Sequence, residues 1–213
     1  MPVAWDDDPP GSEVQIVRNS RDLIRALVRD AARRDAPTVA TAQDWHRKIY
    51  AGITLPVPYY AGEVRDSDAR FPELEGYEVT VGPFHGVPSR LVPDELANFE
   101  SNAQLATSRL DSALAIGEKP TSGRDLHAVL TLCALVHGEW IRIHPFANGN
   151  GRTARVWANW VALRYGLPPF IAVKPRPDGN AYPVAAVAGM RGEPQVAVAA
   201  FEQMLQAHLR SLP

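Results

Sequence analysis

Cysteine is nearly absent from this 213-residue chain: Cys133 stands alone. It has no intrachain partner for a disulfide, so a reducing compartment suits the protein. Cys133 also sits in the apolar run Ala128–Val136, where nothing nearby in sequence lowers a thiol pKa, so it reads as a buried structural thiol. An excess of positive charge is missing too. The formal net charge is -2, which leaves no electrostatic footprint for nucleic acid or an anionic membrane. No uninterrupted apolar run reaches ~18 residues, so no membrane-spanning helix is expected. The opening Trp5-Asp6-Asp7-Asp8-Pro9-Pro10 is acidic and broken by proline, unlike a signal peptide. The Gly-x-x-x-x-Gly-Lys-(Ser/Thr) phosphate loop is absent. These absences lead us to expect a cytoplasmic protein with neither nucleic acid nor membrane among its partners.

What remains is an ordinary globular composition, 46% hydrophobic and 22% charged, enough for one domain with a sizeable core. Residues 1–19 are polar and proline-containing and read as a flexible tail, leaving 20–213 as the folded domain. Ser20 reads as the cap of a first amphipathic helix that fades before Pro37, and a second helix spans about Thr41 to Ile49. Residues 53–76, rich in Pro, Gly and Tyr, read as irregular. Glu78–Val81 and Val87–Leu91 flank Gly82-Pro83-Phe84-His85-Gly86, the pattern of a small hairpin. Helices follow at about 93–116, 124–143, 153–165, 181–190 and 194–212. The fold class is all-α with one β-hairpin. The helix 124–143 is apolar nearly all round, which marks it as the central one.

Between two of these helices lies His144-Pro145-Phe146-Ala147-Asn148-Gly149-Asn150-Gly151-Arg152-Thr153-Ala154-Arg155. Gly149 and Gly151 permit backbone conformations in which successive N–H groups converge on one point. The loop runs into a helix N-terminus, whose free amides and dipole favour phosphate. Arg152 and Arg155, three apart, share a face of that helix's first turn. Their planar forks match phosphate oxygens, and two of them suit a polyphosphate. Two cations at a helix N-terminus oppose its dipole, so a purely structural connection would place acids there. His144, just before this anion site, has the chemistry of a general base.

The segment resembles the signature of the Fic (filamentation induced by cAMP) family, His-x-Phe-x-(Asp/Glu)-Gly-Asn-Gly-Arg-x-x-Arg. His144, Phe146, Gly149, Asn150, Gly151, Arg152 and Arg155 match it. At about 5% usage per residue type, chance agreement at one start point is on the order of one in a billion. Weaker likeness extends to Trp45–Ile49, to Ala61-Gly62-Glu63-Val64-Arg65 and across Val81 to Pro93, covering roughly residues 40–207.

The resemblance implies a helical Fic-type domain with a hairpin flap over its active site. It also implies AMP transfer from ATP to a Ser, Thr or Tyr hydroxyl of a target protein. By the same likeness His144 is the base, Gly149, Asn150 and Gly151 hold phosphates, Arg152 meets the β-phosphate and Arg155 the γ-phosphate. Phe146 anchors the loop. Thr80, Val81, Gly82, His85 and Gly86 belong to the flap, which docks the target by strand addition.

Asn148 departs from the pattern, standing where the family has the Asp or Glu that ligates Mg²⁺. An amide brings no charge to a hard cation, so the implied Mg²⁺ site is weakened or atypical. The alternatives are another phosphate-containing donor, such as a different nucleotide or a phosphocholine donor, or a fold that binds without chemistry. His137, Glu139 and His144, spaced two and then five apart, do not place three metal ligands on one helical face, and the first two read as packing or neighbouring support. His46 and His127 read as helix and core-edge residues. Asn180 and Tyr182 fall where the family places groups near the nucleobase.

Many family members are restrained by a helix carrying (Ser/Thr)-x-x-x-Glu-(Gly/Asn). No glutamate here has the required Ser or Thr: Phe71 precedes Glu75-Gly76, and Pro9 precedes Glu13. The resemblance then leaves two outcomes, an unrestrained enzyme or one silenced by a small antitoxin-like partner protein.

Overall fold

The computed structural model describes residues 3–211. Among them run seven α-helices: α1 (Glu13–Asp30), α2 (Val39–Ile49), α3 (Val92–Ala113), α4 (Gly123–Ile143), α5 (Asn150–Arg164), α6 (Ala181–Met190) and α7 (Ala197–Ser211). A two-stranded antiparallel sheet, β1 (Thr80–Val81) and β2 (Phe84–His85), pairs Thr80 with His85 and Val81 with Phe84.

The central helix is α4, as its all-round apolarity predicts. Ser122 caps its start by accepting the Asp125 N–H at 3.1 Å. Around it pack α3, α5, α6 and α7, with α1 and α2 behind α5. Trp140 and Trp157 join α4 to α5 with ring centroids 5.8 Å apart, and Phe99 of α3 and Trp45 of α2 close the cluster edge-on. Large aromatic rings buried this way dominate the energetics of a core. By length and composition α4 could also cross a membrane, but 61% of its most apolar window is buried inside the fold. Interrupting polar residues such as His137 hide this in a search for unbroken runs.

Four expectations need correction. The tail assigned to 1–19 is not a tail over the described residues: α1 starts at Glu13, and Ser20 lies buried within it. Its apolar stripe, Ile16, Leu23 and Leu27, begins one turn before Ser20. Ahead of it Trp5 is buried against His46, Tyr50 and Tyr60. The hairpin is also shorter than expected. Its turn is Gly82-Pro83, with φ +57° at Gly82, and 87–91 leave the ladder. Val87 donates instead to the Arg142 carbonyl, and Ser89–Leu91 form a 3₁₀ turn into α3. Next, α5 begins at Asn150 and not at Thr153, drawing Gly151 and Arg152 into the helix. In the last expected helix, 194–196 form a 3₁₀ turn, and Leu212 falls outside the described residues.

Candidate active site

The site starts where α4 stops. Pro145 disfavours continued helix at the residue before it, and as the C-cap of α4 His144 takes a left-handed conformation, φ 51° and ψ 57°. A side chain held in that region costs about 1–3 kcal/mol, so its surroundings must enforce it. The His144 ring is nearly buried, with Nδ1 donating to the Ile141 carbonyl. With the proton on Nδ1, the neutral ring keeps a bare Nε2 lone pair. Burial first, and then the nearby Arg65 charge, push the imidazole pKa down to about 4 against the pull of that hydrogen bond.

The loop beyond is held from within. Phe146 is fully buried and stacks on His46, centroids 3.9 Å apart and nearly parallel. His46 Nδ1 accepts the Gly62 N–H at 2.9 Å, so Nε2 carries the proton and donates to the Asn148 carbonyl at 3.1 Å. Gly149 takes φ +74°, and a Cβ there would lie 2.4 Å from the Tyr50 hydroxyl, so no side chain fits.

Asn150 was expected among the phosphate ligands, but its side chain has another task. Oδ1 accepts the Phe146 N–H and Nδ2 donates to the Phe146 carbonyl, both at 2.9 Å. Gly151 is helical and needs no special backbone angle. The groups left that could hold an anion are the backbone amides of Asn150 and Gly151. They meet no acceptor among the described residues, because Arg152 and Thr153 turn back to the Gly149 carbonyl.

One cavity of about 580 Å³ gathers His144, Asn148, Asn150, Gly151, Arg152 and Arg155. The hairpin supplies Val81, Gly82, Pro83 and Phe84 to its rim, and α6 supplies Tyr182, Ala186, Val187 and Met190. Gly149 and, from the flap, Thr80, His85 and Gly86 stand outside the lining. Arg155 reaches in with Nη1 donating to the Tyr182 hydroxyl at 2.8 Å and Nη2 to the Val173 carbonyl at 2.7 Å. Tyr182 in turn meets His137 Nε2 at 3.3 Å, which gives His137 the supporting role expected of it.

Sequence reading missed the residues on the other side. Asp7 and Asp8 enter the cavity and pair with Arg152 at 2.8 and 2.6 Å, and Lys174 pairs with Asp8 at 2.8 Å. Their separation from α5 along the chain left no local signal; only the acid-free first turn of α5 hinted at outside carboxylates. Asn148 Nδ2 donates to the Trp5 carbonyl at 2.8 Å while Oδ1 takes the Gly149 N–H at 2.8 Å.

These residues do not fit a magnesium ion. The amide oxygen of Asn148 is neutral and engaged, and the cavity's two carboxylates are ion-paired. Among the described residues no three His, Cys, Asp or Glu side chains could together hold a metal. A small hard cation bound by few protein ligands needs an anionic oxygen.

The Fic/DOC family model matches residues 36–162, which include the whole loop and both arginines. A uridine 5'-monophosphate transferase of Xanthomonas campestris pv. campestris (strain 8004) is 29% identical over 111 residues, 52% of this chain and 18% of that protein. Protein adenylyltransferase fic-1 of Caenorhabditis briggsae is 27% identical over 128 residues, 60% of this chain and 20% of that one. The chain thus matches about a fifth of these relatives' lengths. Among solved structures, BepC of Bartonella tribocorum with bound AMPPNP aligns with a TM-score of 0.61 at 15% identity, covering 93% of this chain and 88% of that one. At that identity the likeness is one of fold.

Proposed function

Because the chain belongs to the Fic/DOC family, we propose that it transfers AMP from ATP to a Ser, Thr or Tyr hydroxyl of another protein. The observation that carries this reading is the shared cavity. A histidine with a bare Nε2 lies beside two free helix-terminal amides and two arginines, in a volume that suits a nucleotide. In the reaction the target oxygen forms a bond to the α-phosphorus as its proton passes to His144 Nε2. The bond from that phosphorus to the bridging oxygen breaks, and pyrophosphate leaves. Arg155 and the amides of Asn150 and Gly151 hold the phosphates and neutralise charge as it shifts to the leaving group. The hairpin rim presents the target. The named adenylyltransferase relatives support ATP as donor. The uridine 5'-monophosphate transferase relative supports a second reading, the same transfer with a uridine nucleotide.

His144→Ala tests the base. Transfer of label from ATP should fall ~10²–10⁴-fold, with ATP binding unchanged because the imidazole acts on the hydroxyl. The pH profile adds a check. A base whose pKa lies near 4 in the folded protein is neutral throughout pH 6–8, so the rate is flat there and declines only as pH falls towards 4. Wild-type transfer rates in the alanine variant would remove His144 from the mechanism. We further propose that a separate small protein can silence the enzyme by presenting a carboxylate to Arg155, which meets none among the described residues. Slower bacterial growth with the wild-type chain than with His144→Ala would show that its activity needs such restraint.

A further inference from the structure

A guanidinium removed from water loses solvation worth several kcal/mol and must recover it from hydrogen bonds or an opposite charge. Arg65 is fully buried, and its nearest carboxylate, that of the largely exposed Glu78, stands 3.7 Å away. Four backbone carbonyls surround it instead. Nε donates to His144 at 2.8 Å and Nη2 to Ile143 at 3.0 Å, both at the end of α4. Nη1 donates to Tyr77 at 2.7 Å and Nη2 to Val87 at 3.0 Å, at the two feet of the hairpin. Its own N–H reaches the Pro145 carbonyl at 2.8 Å. The side chain lies outside the cavity lining.

A buried cation is a poor choice if the only need is stability, since a well-packed apolar side chain often does as well or better. The planar fork offers something an apolar group does not, five donors at fixed angles. Here they join the residue that bears the base to both feet of the element that rims the site. The contact is close from the other side as well. A Cβ on Gly86 would lie 2.8 Å from His144 Cβ and 3.3 Å from Arg65 Nη2.

We infer that Arg65 is a positioning residue for the transfer: it fixes the hairpin relative to His144, so that a hydroxyl presented at the hairpin meets Nε2. This rests on the reading of His144 as base and of the hairpin as target-docking flap. Arg65→Lys keeps the charge, but one ammonium cannot span four carbonyls set on two elements. Displacing reacting groups by 1 Å can cost 10²-fold in rate.

The test uses Arg65→Lys, Arg65→Met and Gly86→Ala, assayed for kcat and KM on a protein target, with rates normalised to ATP sites titrated by calorimetry. Expected are a fall in kcat of ~10²-fold for Arg65→Met and ~10-fold for Arg65→Lys and Gly86→Ala, each at an ATP Kd within twofold of wild type. Lost stability alone would reduce the number of titratable ATP sites and leave kcat per site unchanged. That result, or wild-type kcat in Arg65→Lys and Gly86→Ala, overturns the inference even if Arg65→Met does not fold. A wild-type chain that transfers label from no nucleotide overturns the proposed reaction and this inference with it. Active wild type matched by its variants overturns the inference alone.

Discussion

On one side of the cavity, Trp5 to Asp8 cross over Arg152; on the other, Val173 to Tyr182 flank Arg155. The two arginines lie one turn apart on α5 and are almost equally buried, yet their partners differ in kind. Arg152 donates to the Asp7 and Asp8 carboxylates, to the Asp7 carbonyl and to the Tyr50 hydroxyl, while its buried Nε meets no acceptor among the described residues. Arg155 donates only to neutral oxygens, those of Val173 and Tyr182, and lies over the Tyr182 ring. A polyphosphate bound here, as proposed, would meet one cation whose charge is uncompensated and oriented, and another whose charge is already answered. On the first side binding adds an ion pair. On the second it exchanges one for another, and the gain is the difference.

Removing the uncompensated cation should have the larger effect. Arg155→Ala loses a charge-assisted contact worth about 1.5–3 kcal/mol, or roughly 10- to 150-fold in ATP affinity. AMP should lose less, since Arg155 is assigned to the phosphate furthest from the nucleoside. Calorimetry that finds equal losses for ATP and AMP would take Arg155 away from the terminal phosphate.

Unmasking the other arginine should act in the opposite direction and more weakly. The paired aspartates retain 30% and 43% side-chain exposure, so each ion pair is partly screened and contributes about 1 kcal/mol at most. Asp7→Asn with Asp8→Asn should tighten ATP binding up to about tenfold, with most of the gain at low salt. Unchanged or weaker binding in the double variant would mean that Asp7 and Asp8 do not compete with phosphate for Arg152.

This contrast also separates what could be read in the sequence from what could not. The His144–Arg155 loop was legible because its chemistry is local. Proline ends a helix, glycine opens a turn, and arginines three apart share a face. The central helix was legible for the same reason, from apolar residues within one segment. The role of Asp7 and Asp8 was hidden because a short acidic stretch with prolines looks like solvated chain until its distant cation is known. In the sequence Arg65 stands out only as part of a weakly matching segment, and His46 reads as an ordinary helix residue. Their importance lies in backbone groups of other segments, which no side-chain pattern records. Asn150 differs again: its side-chain amide is engaged by its two bonds to Phe146, which leaves its backbone N–H for the role the sequence suggests.

The smallest expected effect belongs to Asn148, which touches both sides of the question. Its Nδ2–H holds the Trp5 carbonyl and so helps to keep Asp7 and Asp8 over Arg152. Asn148→Asp removes that donor and sets an anionic oxygen near a carbonyl, which weakens the attachment by about 1 kcal/mol, the worth of one neutral hydrogen bond. The new carboxylate also repels free ATP, so without Mg²⁺ the two changes oppose each other and the affinity hardly moves. With Mg²⁺ present the carboxylate supplies the charged oxygen that the wild-type cavity does not offer the ion. The aspartate variant should then bind ATP up to about fivefold more tightly with Mg²⁺ than without it, and reach half-maximal transfer at a lower Mg²⁺ concentration than wild type. The measurement is a pair of ATP titrations for each protein, with Mg²⁺ and with a chelator, alongside a Mg²⁺ titration of transfer. If both proteins respond identically to Mg²⁺, position 148 does not face the ion, and the asparagine serves to hold the Trp5 carbonyl and the Gly149 N–H.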